Sequence, residues 1–142
     1  GSTRLHFGGG DSDANSNLNI ASTDTLNICP SGWHVPLDGE WTTLTTFLGS
    51  SAGGKMKSTS SLWTSPNIGA VNTSGFSALP GGFRNNDGSF GGITKNAYFW
   101  SATSSATATA WFRNLAYNYS NIWSYNNGYK LSLGFSVRCL RD

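Results

Sequence analysis

Residues 29–54 read CPSGWHVPLDGEWTTLTTFLGSSAGG, and this stretch decides the fold class because it carries the clearest helix signal in the chain. Pro36 precedes the helix, Asp38 and Glu40 fall in its first turn, and Gly49 stops it. Trp41, Leu44, Phe47 and Leu48 recur at helical spacing, a stripe that reads as core rather than as a cofactor box. Asp38 and Glu40 offer an acid/base pair on paper. Carboxylates in a first turn ordinarily just complement the helix dipole, and that is the reading adopted. Downstream, AGGKMKSTSSLW (52–63) holds a second short helix, weakened by Gly53 and Gly54.

From Gly75 onward the pattern turns to β. GFSALPGGFRNNDGSFGGI (75–93) has short apolar pieces broken by glycine, and Asn86-Asp87-Gly88 marks a hairpin turn. Residues 97–101, 107–115, 120–125 and 134–140 read as strands. In the last, Phe135, Val137 and Cys139 alternate with Ser136, Arg138 and Leu140. Upstream, residues 1–28 are polar and read as a flexible lead-in, with a short strand at Arg4–Phe7. GGGDSDANSN (8–17) offers carboxylates and amides, but lacks the acidic residue that closes a helix-loop-helix calcium loop, so it reads as solvated loop with no metal. The expectation is one α+β domain over 29–142: one or two helices on an irregular antiparallel sheet, rich in loops.

The 142 residues suit a single domain, and six Trp, eight Phe and five Tyr supply its core. Only 11% of residues are charged and the net charge is +2. Lys and Arg are scattered, whereas nucleic-acid binding needs a clustered basic footprint, so no nucleic-acid partner is expected. No stretch reaches the roughly 18 apolar residues of a membrane span, so direct membrane insertion is not expected. No signal peptide opens the chain. Gly1-Ser2 reads as a remnant of expression, which leaves export open.

Cys29 and Cys139 are too far apart for a CxxC metal or redox motif. A reactive thiol is one reading. A disulfide joining the two ends of the domain is the one favoured by pairing logic, and it implies an oxidising compartment.

CPSGWHVP, the Glu-Trp helix, AGGKMKS, SGFSALPGGFRNNDGSF, YFWSAT and GFSVRCLRD, in that order, resemble the Fibrobacter succinogenes major paralogous domain. The resemblance covers residues 29–142. It implies a fold related to C-type lectins and to the formylglycine-generating-enzyme group, in secreted or surface-displayed proteins of gut and rumen bacteria. The frame WFRNL…Y…S…I…G…K…GFSVRC also resembles the variable region of proteins diversified by retroelements. That resemblance implies fixed Trp111, Arg113, Leu115, Ile122, Lys130, Gly134, Phe135, Val137 and Cys139 among exchangeable neighbours, Gly128 included.

From Asn114 to Tyr129, eleven of sixteen residues are Asn, Tyr or Ser. Tyr and Trp give rigid contact area, and Ser, Gly and Asn adapt around them, the mixture found in antibody paratopes. The same mixture suits carbohydrate, with rings on sugar C–H faces and amides on hydroxyls. Trp111 and Phe112 sit among aliphatic neighbours and read as core. The expected ligand-binding set is Ala116, Tyr117, Asn118, Tyr119, Asn121, Trp123, Tyr125, Asn126, Asn127, Tyr129, Leu131 and Leu133. The expected partner is a protein or glycan on another cell or host surface, bound by a secreted or cell-surface adhesion module without cofactor. A structural piece of a surface appendage is the alternative. An enzyme ranks third: Glu40 is the sole Glu, His34 has no carboxylate beside it in sequence, and no GxSxG elbow occurs.

Overall fold

A computed structural model describes residues 28–130 and 132–142. The solvated loop at 8–17, the Arg4–Phe7 strand and nearly all of the lead-in lie outside the described residues. Pro36 and Leu37 lead into α1 (Asp38–Leu48). The Glu40 carboxylate accepts the Leu37 N–H at 2.8 Å and so satisfies one of the open donors of the first turn. Gly49 ends the helix at φ 67°. Trp41 is buried, but Phe47 is 86% exposed, which corrects its assignment to the core stripe. At 100° per residue, Phe47 lies about 120° round the helix from Trp41, while Leu44 and Leu48 stay within about 60°. The stripe that packs is narrower than the one read.

The short α2 (Ala52–Met56) forms despite its glycines. A Cβ on Gly53 would come 2.1 Å from the Asn121 carbonyl oxygen, and one on Gly54 2.1 Å from that of Gly69. These glycines let α2 lie directly against backbone, a packing need that outweighs their low helix propensity.

Strands β1 (Trp33–His34) and β7 (Leu140–Arg141) form a small antiparallel pair. The main sheet holds β2 (Gly81–Arg84), β3 (Phe90–Ile93), β4 (Asn96–Ala106), β5 (Thr109–Ala116) and β6 (Ile122–Tyr129), in the order β3-β2-β4-β5-β6. The Asn86-Asp87-Gly88 turn joins β2 to β3, closed by a 3.0 Å bond from the Gly88 N–H to the Asn85 carbonyl. The sheet is mixed rather than wholly antiparallel: β2 meets β4 in parallel, at Gly82 and Ala97.

Residues 134–140 keep their predicted alternation but do not form a continuous strand. Phe135 and Val137 are buried and Leu140 is exposed. The segment runs between β2 and β4, exchanging bonds of 2.9 Å with Arg84 and of 3.0 Å with Tyr98 and Trp100. It fills the gap left where those strands pair at a single position.

Both faces of β4 and β5 are covered, which explains why NAYFW and AWFRNLA lack a clean polar alternation. On one face Trp41, Met56, Trp63, Ala78, Ala97, Phe99 and Leu115 form a core with the helices. On the other, Cys29, Trp100, Ala110, Phe112, Phe135 and Val137 form a second core. Cys29 and Cys139 are joined by a disulfide, with Cα atoms 5.8 Å apart. The α+β class and the bridge are therefore both present.

Candidate ligand-binding face

The candidate face is built on β6, an edge strand of the sheet, and on the loop that leads into it. Loop 117–121 is held by its main chain. The Ile68 N–H donates to the Tyr117 carbonyl at 2.7 Å, the Tyr117 N–H to that of Lys95 at 2.8 Å, and the Gly54 N–H to that of Ser120 at 2.7 Å. Beneath the loop lies Lys57, fully buried. Its ammonium donates to the carbonyls of Ile68, Ala116 and Tyr119 at 2.8, 2.9 and 2.7 Å. Three donors thus meet three acceptors, which offsets part of the cost of burying the charge. Burial still pushes the Lys57 pKa down to about 8. Nothing in GGKMKS distinguishes this lysine from its neighbours, so sequence reasoning missed it.

The expected site residues divide. Tyr119, Tyr125 and Tyr129 are 52, 44 and 57% exposed. Asn118, Asn121, Asn126 and Asn127 are exposed and Trp123 is half-buried. Tyr119 meets Trp123 edge to face, with centroids 5.0 Å apart, and Tyr125 stacks on Phe112 at 5.3 Å. Three residues are drawn inward. Ala116 is only 8% exposed. Tyr117 packs against the helix-side core and Leu133 against the other. Leu131 lies outside the described residues. Trp111 is half-buried and Phe112 buried.

Pairing also splits the aromatics between two sides. Trp123 and Tyr125 lie opposite Asn114 and Phe112, whereas Tyr129 lies opposite Thr109. Directly paired residues share a face, so Tyr129 points away from the other two. The register slips between Ala110 and Phe112, and the one extra β6 residue there forms a bulge. Gly128 is buried, and a Cβ on it would sit 2.5 Å from the Trp100 ring. That corrects its place among freely exchangeable positions.

His34, with no carboxylate beside it in sequence, sits between two in space. Its Nδ1 lies 2.5 Å from Asp142 and its Nε2 3.0 Å from Glu40. Hydrogen bonds from Asp142 first, then Glu40, raise its pKa above 6.5. Both ring nitrogens are engaged, so the imidazole has no free nitrogen to take a substrate proton. The triad ties β1, α1 and the residue after β7 together. Arg113, 3% exposed, pairs with Asp38 at 2.6 Å and fixes α1 against β5. Among the described residues, no group of three or more His, Cys, Asp or Glu is placed to hold a metal ion.

A family model, the Fibrobacter succinogenes major domain, matches residues 16–141. The chain belongs to that family. Searches of curated proteins and of solved structures each return no significant match. The segments that signalled the Fibrobacter succinogenes major domain build the frame rather than the exposed face. CPSGWHVP supplies Cys29 and His34, AGGKMKS supplies α2 and Lys57, YFWSAT supplies Phe99 and Trp100, and GFSVRC supplies Phe135, Val137 and Cys139. The match begins upstream of Cys29.

Proposed function

We propose that this domain is an extracellular recognition module of C-type-lectin-like fold, using loop 117–121 and β6 to bind a protein or glycan on another cell or host surface. The observation that carries this reading is the set of exposed Tyr and Asn side chains on a backbone locked by Lys57 and α2. Residues 116–129 contain no Asp, Glu, Lys or Arg, so contact rests on ring burial and neutral hydrogen bonds. The loop is gripped through carbonyls and amides, so Asn118, Tyr119 and Asn121 are free to change identity without loss of the grip. This supports diversification by a retroelement. A reverse-transcriptase gene beside a near-copy of the tail that differs at adenines is the expected genomic finding. Their absence from flanking DNA removes that part of the proposal.

The disulfide favours an exported protein. No described helix is long and apolar enough to cross a membrane. Binding of the purified domain to mucin-coated surfaces and to intact bacterial cells tests the recognition reading. The triple variant Tyr119→Ala/Trp123→Ala/Tyr125→Ala is expected to lose binding and keep a cooperative melt. Unchanged binding by that variant rejects the face.

Among the described residues no strand pairs with the outer edge of β6, which favours a second reading, assembly with a neighbouring subunit of a surface appendage. Light scattering separates the two: a stable oligomer dissociated by the same triple variant supports assembly.

A further inference from the structure

We infer a second binding site, for a neutral carbohydrate ring, in the groove between the C-terminal half of α1 and the start of β6. The groove is about 410 Å³, within the usual range of roughly 300–1,000 Å³ for small-molecule pockets. Its polar lining includes Thr42, Thr45, Ser51, Asn121 and Ser124, with Arg113 at the base. Pairing places Ser124 opposite Arg113, on the α1 side of the sheet and away from Tyr125. The site therefore faces away from the Tyr125 side of β6, and it shares Asn121 with the recognition loop.

The chemistry of the lining selects the ligand class. Arg113 is the one charged side chain among the lining residues, and Asp38 neutralises it at 2.6 Å. An anion would have to compete with the Asp38 carboxylate for the buried arginine, so a ligand without charge is favoured. Thr42 and Thr45 donate their hydroxyls to the helix carbonyls of Asp38 and Thr42, at 2.9 and 3.1 Å. Thr42 Oγ1 also accepts from Arg113 at 3.3 Å, so Thr45 keeps the freer acceptor for a ligand hydroxyl. Ser51 occupies the N-cap position of α2 in the left-handed region, at φ 59°, yet its side chain makes no capping bond. That conformation is uncommon for serine, and the uncommitted hydroxyl lines the groove. Asn121 and Ser124 are exposed and add an amide and a further hydroxyl. Ile122, opposite Leu115 on the same side of the sheet as Ser124, borders the groove with apolar surface for the C–H face of a sugar, while the Trp123 ring lies on the Tyr125 side.

The test is titration of the purified domain with glucose, galactose, N-acetylglucosamine, cellobiose and maltose, followed by ligand-observed NMR and calorimetry. At least one sugar is expected to bind saturably. Asn121→Ala and Ser124→Val, both at exposed positions, should each weaken it tenfold or more with little change in melting temperature. Ser124→Phe should abolish it by filling the groove. Tyr125→Ala, on the opposite side of β6, should leave it unchanged. No saturable binding by any of the five sugars overturns the inference. So does binding that ignores the Ser124 variants but is lost in Tyr125→Ala, a result that would leave the aromatic-face reading standing.

Discussion

At Gly128 the requirement for glycine is steric. A methyl group there would lie 2.5 Å from Trp100 and 2.9 Å from Phe112, rings held in the core around Phe135. Gly128→Ala is therefore expected to cost about 1–3 kcal/mol by chemical denaturation. Asn127→Ala, one residue away and exposed, should be close to neutral. His34 gives a pH signature. Its folded pKa is raised, so the stabilisation is fully present below about 6.5, the unfolded value, and is lost as pH rises through the folded one. The wild type should lose stability relative to His34→Gln across that window, read by denaturant melts from pH 5 to 9. A constant difference between the two proteins would mean that the carboxylates do not act on the ring. Single residues were the least legible scale in the sequence. His34 meets Asp142 across 108 positions, and Lys57 is buried by three carbonyls from two segments remote in sequence, neither of which leaves a local mark.

Among the elements, α1 could be read because its signals are local: proline before it, carboxylates in its first turn, glycine after it. The Asn-Asp-Gly turn was legible for the same reason. What covers an element is not local. Phe47 met the spacing rule and still faces water, since only the narrower stripe of Trp41, Leu44 and Leu48 meets the sheet. Residues 134–140 show strand alternation because they are sandwiched, yet they pair with β2 and β4 only at isolated positions. The tail composition showed which residue types would be exposed. It did not show that the β6 bulge would put Tyr129 on the opposite side from Tyr125. The bond between α1 and β5 is the ionic one. Arg113→Met would leave the Asp38 carboxylate, 25% exposed, without its partner. About 3 kcal/mol of stability should be lost. Asp38→Asn/Arg113→Met, which removes both charges, should recover part of it; an equal loss in the double variant would assign the effect to packing of the arginine stem.

The molecule as a whole is two cores on either side of one sheet, closed where its described ends meet. Two cysteines 110 positions apart gave that closure from the sequence, while the β1–β7 pair and the His34 triad that reinforce it were not visible there. Cys29→Ser/Cys139→Ser is expected to lose about 2–5 kcal/mol against the oxidised wild type. An unchanged melting temperature would show that the two-stranded pair and the cores suffice. The closure also decides how the domain bears load. Tension entering before Cys29 and leaving after Cys139 crosses a covalent link and bypasses β4, β5 and β6, so among the described residues only Ile28, Leu140, Arg141 and Asp142 are open to peeling. In an optical trap the oxidised domain should stay short at forces that unravel ordinary sheets. Reductant should release an extra length of roughly 360–400 Å, the reach of the 110 residues enclosed.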